Sequence, residues 1–239
     1  MRRSLLAIPF AAAVLASAPA RADLPGEGYR NHLVISLGVG FDTLNPKDYD
    51  AYTDAFNQHN GGQAGQAHPS IAIHASLALT YYAPYYILVR SGVEPDYFFP
   101  TEKIGGETVT NYGGTLEIPI FVGGHYAFLD NRLIVELAVG PAIAAFTTAG
   151  LNGSNGVASG DQLYADPSVG FDSQLKGQFF VSSTFSLGLE VGYRILSSSS
   201  LHQSGGSTYY QPPGFGDGKP IHLDFSGFRL AFEVGFAVL

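Results

Sequence analysis

His74-Ala75-Ser76 sets an imidazole and a hydroxyl two residues apart. In an extended chain both project to one face, the arrangement in which a base activates an oxygen nucleophile. A hydrolase also needs an acid to orient the histidine, and none follows at a matching position. Asp48, Asp50 and Asp54 come nearest to a cation loop, but an EF-hand wants Asp or Asn where Tyr52 stands and a Gly after it. Asn152-Gly153-Ser154-Asn155-Gly156 and Gly205-Gly206 lack the strand-to-helix context in which glycines cradle phosphate. With 0 Cys there is no thiolate ligand and no thiol nucleophile. These motifs point to no catalytic residue, no metal and no cofactor. The conspicuous chemistry is instead a set of charges lodged in apolar runs: Arg90, Glu117, Arg132, Glu136, Lys176, Glu190, Arg194, Arg229 and Glu233.

The elements that carry these charges have a two-residue period. Leu33, Ile35, Leu37, Val39 and Phe41 alternate with Ser36, Gly38, Gly40 and Asp42, and Ile71 to Leu79 alternate with Ala72, His74, Ser76 and Ala78. Tyr85, Ile87 and Val89 oppose Leu88 and Arg90; Leu116, Ile118, Ile120 and Val122 oppose Glu117. Leu133, Val135, Leu137 and Val139 oppose Arg132 and Glu136, and Val169, Phe171, Leu175 and Phe179 oppose Asp172 and Lys176. Phe185 to Ile195 oppose Glu190 and Arg194, and Phe228 to Val238 oppose Arg229 and Glu233. Such alternation is that of strands with two unlike faces, and it predicts an all-β chain of eight antiparallel strands. Beyond residue 22 no uncharged apolar run reaches the ~18–20 residues of a spanning helix. Gly140-Pro141 predicts a bulge or kink in the fifth strand, because proline has no N–H to give the ladder.

Connections alternate in length. Tight turns are expected at Tyr82-Ala83-Pro84, Leu129-Asp130-Asn131 and Ser182-Ser183, and long loops over residues 45–69, 95–112, 148–166 and 197–223. All the long loops thus fall at one end, the asymmetry of an outer-membrane barrel with short periplasmic turns and long extracellular loops. Tyr81, Tyr82, Tyr85, Tyr86, Tyr126, Phe128, Phe179, Phe180 and Phe185 crowd the short turns and predict one interfacial girdle. The chain is 46% apolar and only 13% charged, half the charge of a typical soluble domain at about 25%, so water is not its main surroundings. Arg2, Arg3, the apolar run Leu5 to Leu15 and Ala20-Arg21-Ala22 read as a cleaved signal peptide over 1–22, leaving 23–239 as the barrel domain. Cleavage leaves 9 basic against 20 acidic residues, a net charge of −11 that disfavours nucleic acid as a partner.

Alternating strands, loop asymmetry, the leader and a strand ending at the carboxyl terminus resemble the small outer-membrane β-barrel family, typified by the transmembrane domain of outer membrane protein A. Leu189-Glu190-Val191-Gly192-Tyr193-Arg194 is similar to that family's penultimate strand. The resemblance implies an eight-stranded up-and-down transmembrane barrel in the bacterial outer membrane, in contact with outer-membrane lipid and lipopolysaccharide. It also implies periplasmic chaperones and the barrel assembly machinery as partners in biogenesis, with the last strand, here Phe232, Val234, Phe236, Val238 and Leu239, as the assembly signal. The family usually ends on an aromatic residue; here the outward set falls on Phe236 and Val238, so a lipid-facing Leu239 would need a bulge near Gly235. Outer-membrane lipid A deacylases carry a His-x-Ser and a downstream Glu on the lipid side, whereas position 88 is Leu here.

An inward-facing charge avoids the cost of a lysine or arginine at the lipid midplane, roughly 2–4 kcal/mol. The nine charges therefore read as a paired polar filling of the barrel. Three functions stay open: a structural or surface-interaction protein whose surface partner the loops do not name, a narrow channel or port for small solutes, and a lipid A-modifying enzyme.

Overall fold

In a computed structural model the chain is described over residues 31–45, 50, 69–104, 107–153, 162–203 and 220–238. The leader 1–22, Asp48, Asp54, Ser154-Asn155-Gly156, Gly205-Gly206 and Leu239 lie outside the described residues. Eleven strands occur in the order β1 (His32–Thr43), β2 (Ile71–Tyr82), β3 (Ile87–Phe98), β4 (Thr101–Ile104), β5 (Glu107–Phe128), β6 (Leu133–Gly153), β7 (Leu163–Ala165), β8 (Ser168–Phe180), β9 (Phe185–Ile195), β10 (His202–Gln203) and β11 (Gly227–Val238). Eight are staves: β6-β8-β9-β11-β1-β2-β3-β5 run side by side, and β5 pairs with β6 to close the ring. All these pairings are antiparallel. Closure leaves no open edge, the condition for β-structure to sit in lipid.

Both ends of the described chain lie with the short turns, where Asn31 N–H donates to Tyr82 O (2.6 Å) and Ala237 N–H to Thr184 O (2.9 Å). At one turn Asp130 and Asn131 take positive φ of 53° and 68°, which their short polar side chains tolerate. Tyr85 and Tyr86, at 65° and 62°, have no such excuse and carry backbone strain there.

At the opposite end the loops are less bare than the sequence implies. Residues 95–112 are not a long loop: β3 runs to Phe98, β4 follows, and β5 starts at Glu107. Ser91-Gly92 and Pro95 interrupt the apolar alternation there and hide the strand. Residues 148–166 likewise contain the end of β6 and all of β7. β5 and β6, with 22 and 21 residues, are about twice the length that crosses a bilayer, roughly 9–11 residues. With β4, β7 and β10 they form a sheet that continues past the barrel on the loop side.

Three prolines mark the ladders of neighbouring staves. Pro95 pairs with Leu116 on β5, Pro119 with Ala142 on β6, and Pro141 with Phe171 on β8. On the other side of each, the ladder skips two pairs: between β2 and β3 beside Pro95, between β3 and β5 beside Pro119, and between β5 and β6 beside Pro141. Each proline offers no N–H towards the preceding stave. The true bulge lies four residues beyond Pro141: pairing steps from Leu116↔Phe146 to Glu117↔Ala144, leaving Ala145 extra. Inward positions accordingly switch from Ala142 and Ala144 to Thr147 and Ala149. No bulge occurs near Gly235, since β11 keeps unbroken register with β1 from Arg229 to Val238.

Candidate functional site

Large apolar side chains face outward around the whole ring, including Leu37, Leu77, Val122, Leu137, Leu189 and Phe232, while polar and charged groups are buried within. This inside-out pattern suits lipid outside and side chains filling a barrel of this size. The fold is that of a membrane-spanning β-barrel. No protein-family model matches the chain, and no curated protein matches it. Among solved structures it is similar to Neisserial surface protein A (7% identity, 86% of this chain and 96% of that one, TM-score 0.45). It is also similar to the outer membrane protein OprG from Pseudomonas aeruginosa (13%, 89% and 98%, 0.48). A third likeness is to Ail, the attachment invasion locus protein of Yersinia pestis (9%, 87% and 98%, 0.44).

Of the nine charges singled out in the sequence, eight are buried inside the ring: Arg90, Glu117, Glu136, Lys176, Glu190, Arg194, Arg229 and Glu233. Arg132 is not among them. It stands exposed in the turn before β6, where the chain is not yet extended and strand parity does not apply. The network also contains carboxyls absent from the sequence-derived set, namely Asp42, Glu94, Asp96 and Asp172. Asp42 and Asp172 sit on faces already read as inward, so parity alone would have found them; Asp96 lies in the expected loop 95–112, and Glu94 lies between that loop and the alternation that ends at Arg90.

The filling divides into two connected groups. On the turn side Arg90 reaches Glu190 (3.1 Å) and Glu233 (2.5 Å), and Lys176 reaches Glu233 (2.8 Å) and Glu136 (3.7 Å). Tyr82 donates to Glu136 at 2.5 Å and is 2.7 Å from Gln178 Oε1, while Gln178 Nε2 donates to Ser186 (2.6 Å). On the loop side Arg194 reaches Asp42 (2.9 Å), Asp96 (2.5 Å) and Glu117. Arg229 reaches Asp42 (3.3 Å), Glu94 (2.8 Å), Asp172 (3.2 Å) and Glu190 (3.6 Å), which joins the two groups.

His74 does have an acid. Asp96, across the ladder on β3, lies 2.7 Å from His74 Nδ1, which overturns the expectation that no carboxylate matches it. Ser76 faces inward on the same strand, so the pair lies inside the barrel and away from lipid. The charged layer is covered at both ends. Towards the turns lie Val34, Tyr82, Leu88, Phe121, Ile134 and Phe180. Towards the loops lie Phe98, Leu163, Leu196, Leu201, Ile221, Leu223 and Phe225. Leu196, Leu201, Ile221, Leu223 and Phe225 come from the segments before β10 and β11, tied together by Leu201 N–H to Ile221 O (2.9 Å) and Phe225 N–H to Leu196 O (2.8 Å). Arg194 anchors this plug from below, donating Nε to Phe225 O at 3.0 Å.

Two members of the expected aromatic girdle, Tyr82 and Phe180, are thus inward capping residues. Tyr85, Tyr126, Phe128 and Phe179 remain exposed on the outer face near the turns. Phe232, Val234, Phe236 and Val238 of β11 also face outward, in the alternation read from the sequence.

Proposed function

We propose that this protein is an integral barrel of the bacterial outer membrane, with a filled interior and no conducting path, that holds extracellular β-structure for contact with a surface partner. The observation that supports this reading is the charged layer lying between two apolar caps, which leaves ions no continuous polar route among the described residues. Lipid and lipopolysaccharide meet the outward apolar band, and the outward residues of β11 with Leu239 form the segment that the assembly machinery reads, after periplasmic chaperones have delivered the chain. Planar-bilayer recording of the refolded protein tests the reading: a silent bilayer is expected, and discrete openings abolished by Glu136→Ala or Arg194→Ala would replace it with a channel.

A second reading, a lateral port for small apolar solutes, is favoured by the three proline-interrupted ladders on β2, β3, β5 and β6. Uptake of such a solute into proteoliposomes, lost on closing the ladders with Pro95→Thr and Pro119→Thr, would establish it. We assign no catalysis to His74 and Ser76, whose position inside the barrel holds them away from acyl chains. Lipid A mass spectra that change when the protein is expressed would reverse that assignment.

A further inference from the structure

The loop-side half of the interior does not balance its own charge. Asp42, Glu94, Asp96, Glu117 and Asp172 are all buried, and their cations are Arg194, Arg229 and His74, with Arg90 of the turn-side group no nearer to Glu94 than 3.8 Å. Even with His74 as imidazolium, five carboxylates outnumber three cations by two. Uncompensated charge in so closed a space is costly enough that proteins pair it, neutralise it or bind a metal.

We propose that this half of the barrel binds one hard divalent cation, with Glu94, Glu117 and Asp172 as its ligands. One carboxylate oxygen from each lies within 4.8 Å of the others, a span that a cation of the calcium type bridges with oxygens at about 2.3–2.6 Å. Each guanidinium engages one oxygen of a carboxylate and leaves the other. Arg229 takes Glu94 Oε2 and Asp172 Oδ2, and Arg194 takes Glu117 Oε1. Asp172 Oδ1 and Glu117 Oε2 are buried and accept no hydrogen bond; Glu94 Oε1 accepts none either, with Arg90 at 3.8 Å its only ion contact. Gln174, one inward step along β8 from Asp172, is buried with its amide unpartnered at both ends, so its carbonyl oxygen is unclaimed. The three carboxylates come from β3, β5 and β8, so the cation would tie staves that are not all neighbours. Two positive charges also close the deficit of two. The apolar caps make the ion a structural one, enclosed as the barrel folds.

The test uses the mature chain refolded into zwitterionic micelles, in chelated buffer, with calcium or with magnesium. After a brief chelator wash, elemental analysis is expected to find about one equivalent of calcium or magnesium per barrel, released only on unfolding. The urea midpoint of protein refolded with the cation should exceed that of chelated protein. Asp172→Asn and Glu117→Gln should each abolish retention and the response to the cation, while raising the midpoint of the chelated barrel, because each removes surplus charge. Asp130→Asn, at an exposed turn, should retain the ion. Absence of retained metal with identical midpoints overturns the proposal, as does an infrared protonated-carboxyl band in the metal-supplied wild type that Asp172→Asn or Glu117→Gln removes. Wild-type retention decides the matter even if one variant fails to fold.

Discussion

Arg194→Met is the sharpest perturbation of the interior. The guanidinium touches Asp42, Asp96 and Glu117 and donates to the carbonyl of Phe225, so four partners on different segments lose it at once. Breaking a single buried pair by removing one member costs about 3–5 kcal/mol, because the survivor keeps its desolvation penalty. Glu117 loses its cation while Asp42 keeps Arg229 and Asp96 keeps His74, which places this variant within that range, and the orphaned Phe225 carbonyl adds about 1 kcal/mol. With a urea dependence of about 2 kcal/mol per molar, within the usual range, the midpoint should fall by about 2 M or more. Unfolding in micelles, followed by loss of the heat-modifiable folded band on unboiled gels, reads this directly. Arg194→Lys should recover only part of the loss, since an ammonium cannot fork to three carboxylates. Arg194→Met/Glu117→Gln should be more stable than Arg194→Met alone, because the stranded charge is gone. A single variant within about 0.5 kcal/mol of wild type, or a double variant no better than the single, would refute the pairing argument.

Leu137→Arg places a cation on the lipid face, where Leu137 is 62% exposed; it should cost about 2–4 kcal/mol near the midplane in vesicles, checked by urea titration. Arg132→Ala should leave that midpoint unchanged, since the side chain stands in the exposed turn and not in the network. Gly140→Ala drives a methyl into the Ile120 carbonyl of β5 at the proline-interrupted part of the ladder. A cost of about 1–3 kcal/mol is expected from this overpacking, with faster amide exchange along β5 as a second readout.

The barrel was legible in the sequence because lipid imposes a period of two on every stave, and most staves obey it without interruption. Where that period is broken the reading failed for local reasons. Ser91-Gly92 and Pro95 remove the apolar markers from the second half of β3, which leaves Glu94 in no expected strand and places Asp96, the partner of His74, in the expected loop 95–112. Parity carried one residue too far, into a turn, misassigned Arg132. The extra residue at Ala145 reverses parity within one strand, a change that Gly140-Pro141 announced but did not locate. Tyr82 and Phe180 look like girdle residues by type and by nearness to turns, yet parity alone turns them inward to cap the charges. The two caps themselves were invisible, because they depend on which side chains meet across the lumen.

A buried ion network is weak evidence for stability, since apolar replacements often match it. Its stronger consequence here is register. Arg229 on β11 contacts Asp42 on β1, Glu94 on β3, Asp172 on β8 and Glu190 on β9, so one side chain ties five staves. Slipping any stave by one residue turns its charges to lipid, and slipping by two breaks the pairs while leaving the apolar face almost unchanged. Only the charges penalise the second error. Replacing Arg229 together with its partners Asp42, Glu94, Asp172 and Glu190 by Leu or Met should therefore yield a barrel that still folds but no longer holds β1 and β11 in a single register. The absence of native cysteine allows a direct assay, with Leu37→Cys paired to Val234→Cys for the native alignment and to Phe232→Cys or Phe236→Cys for slipped ones. In the charged barrel only the native pair should cross-link; in the apolar one the slipped pairs should appear. If the native pair alone still forms, the network does not set this register.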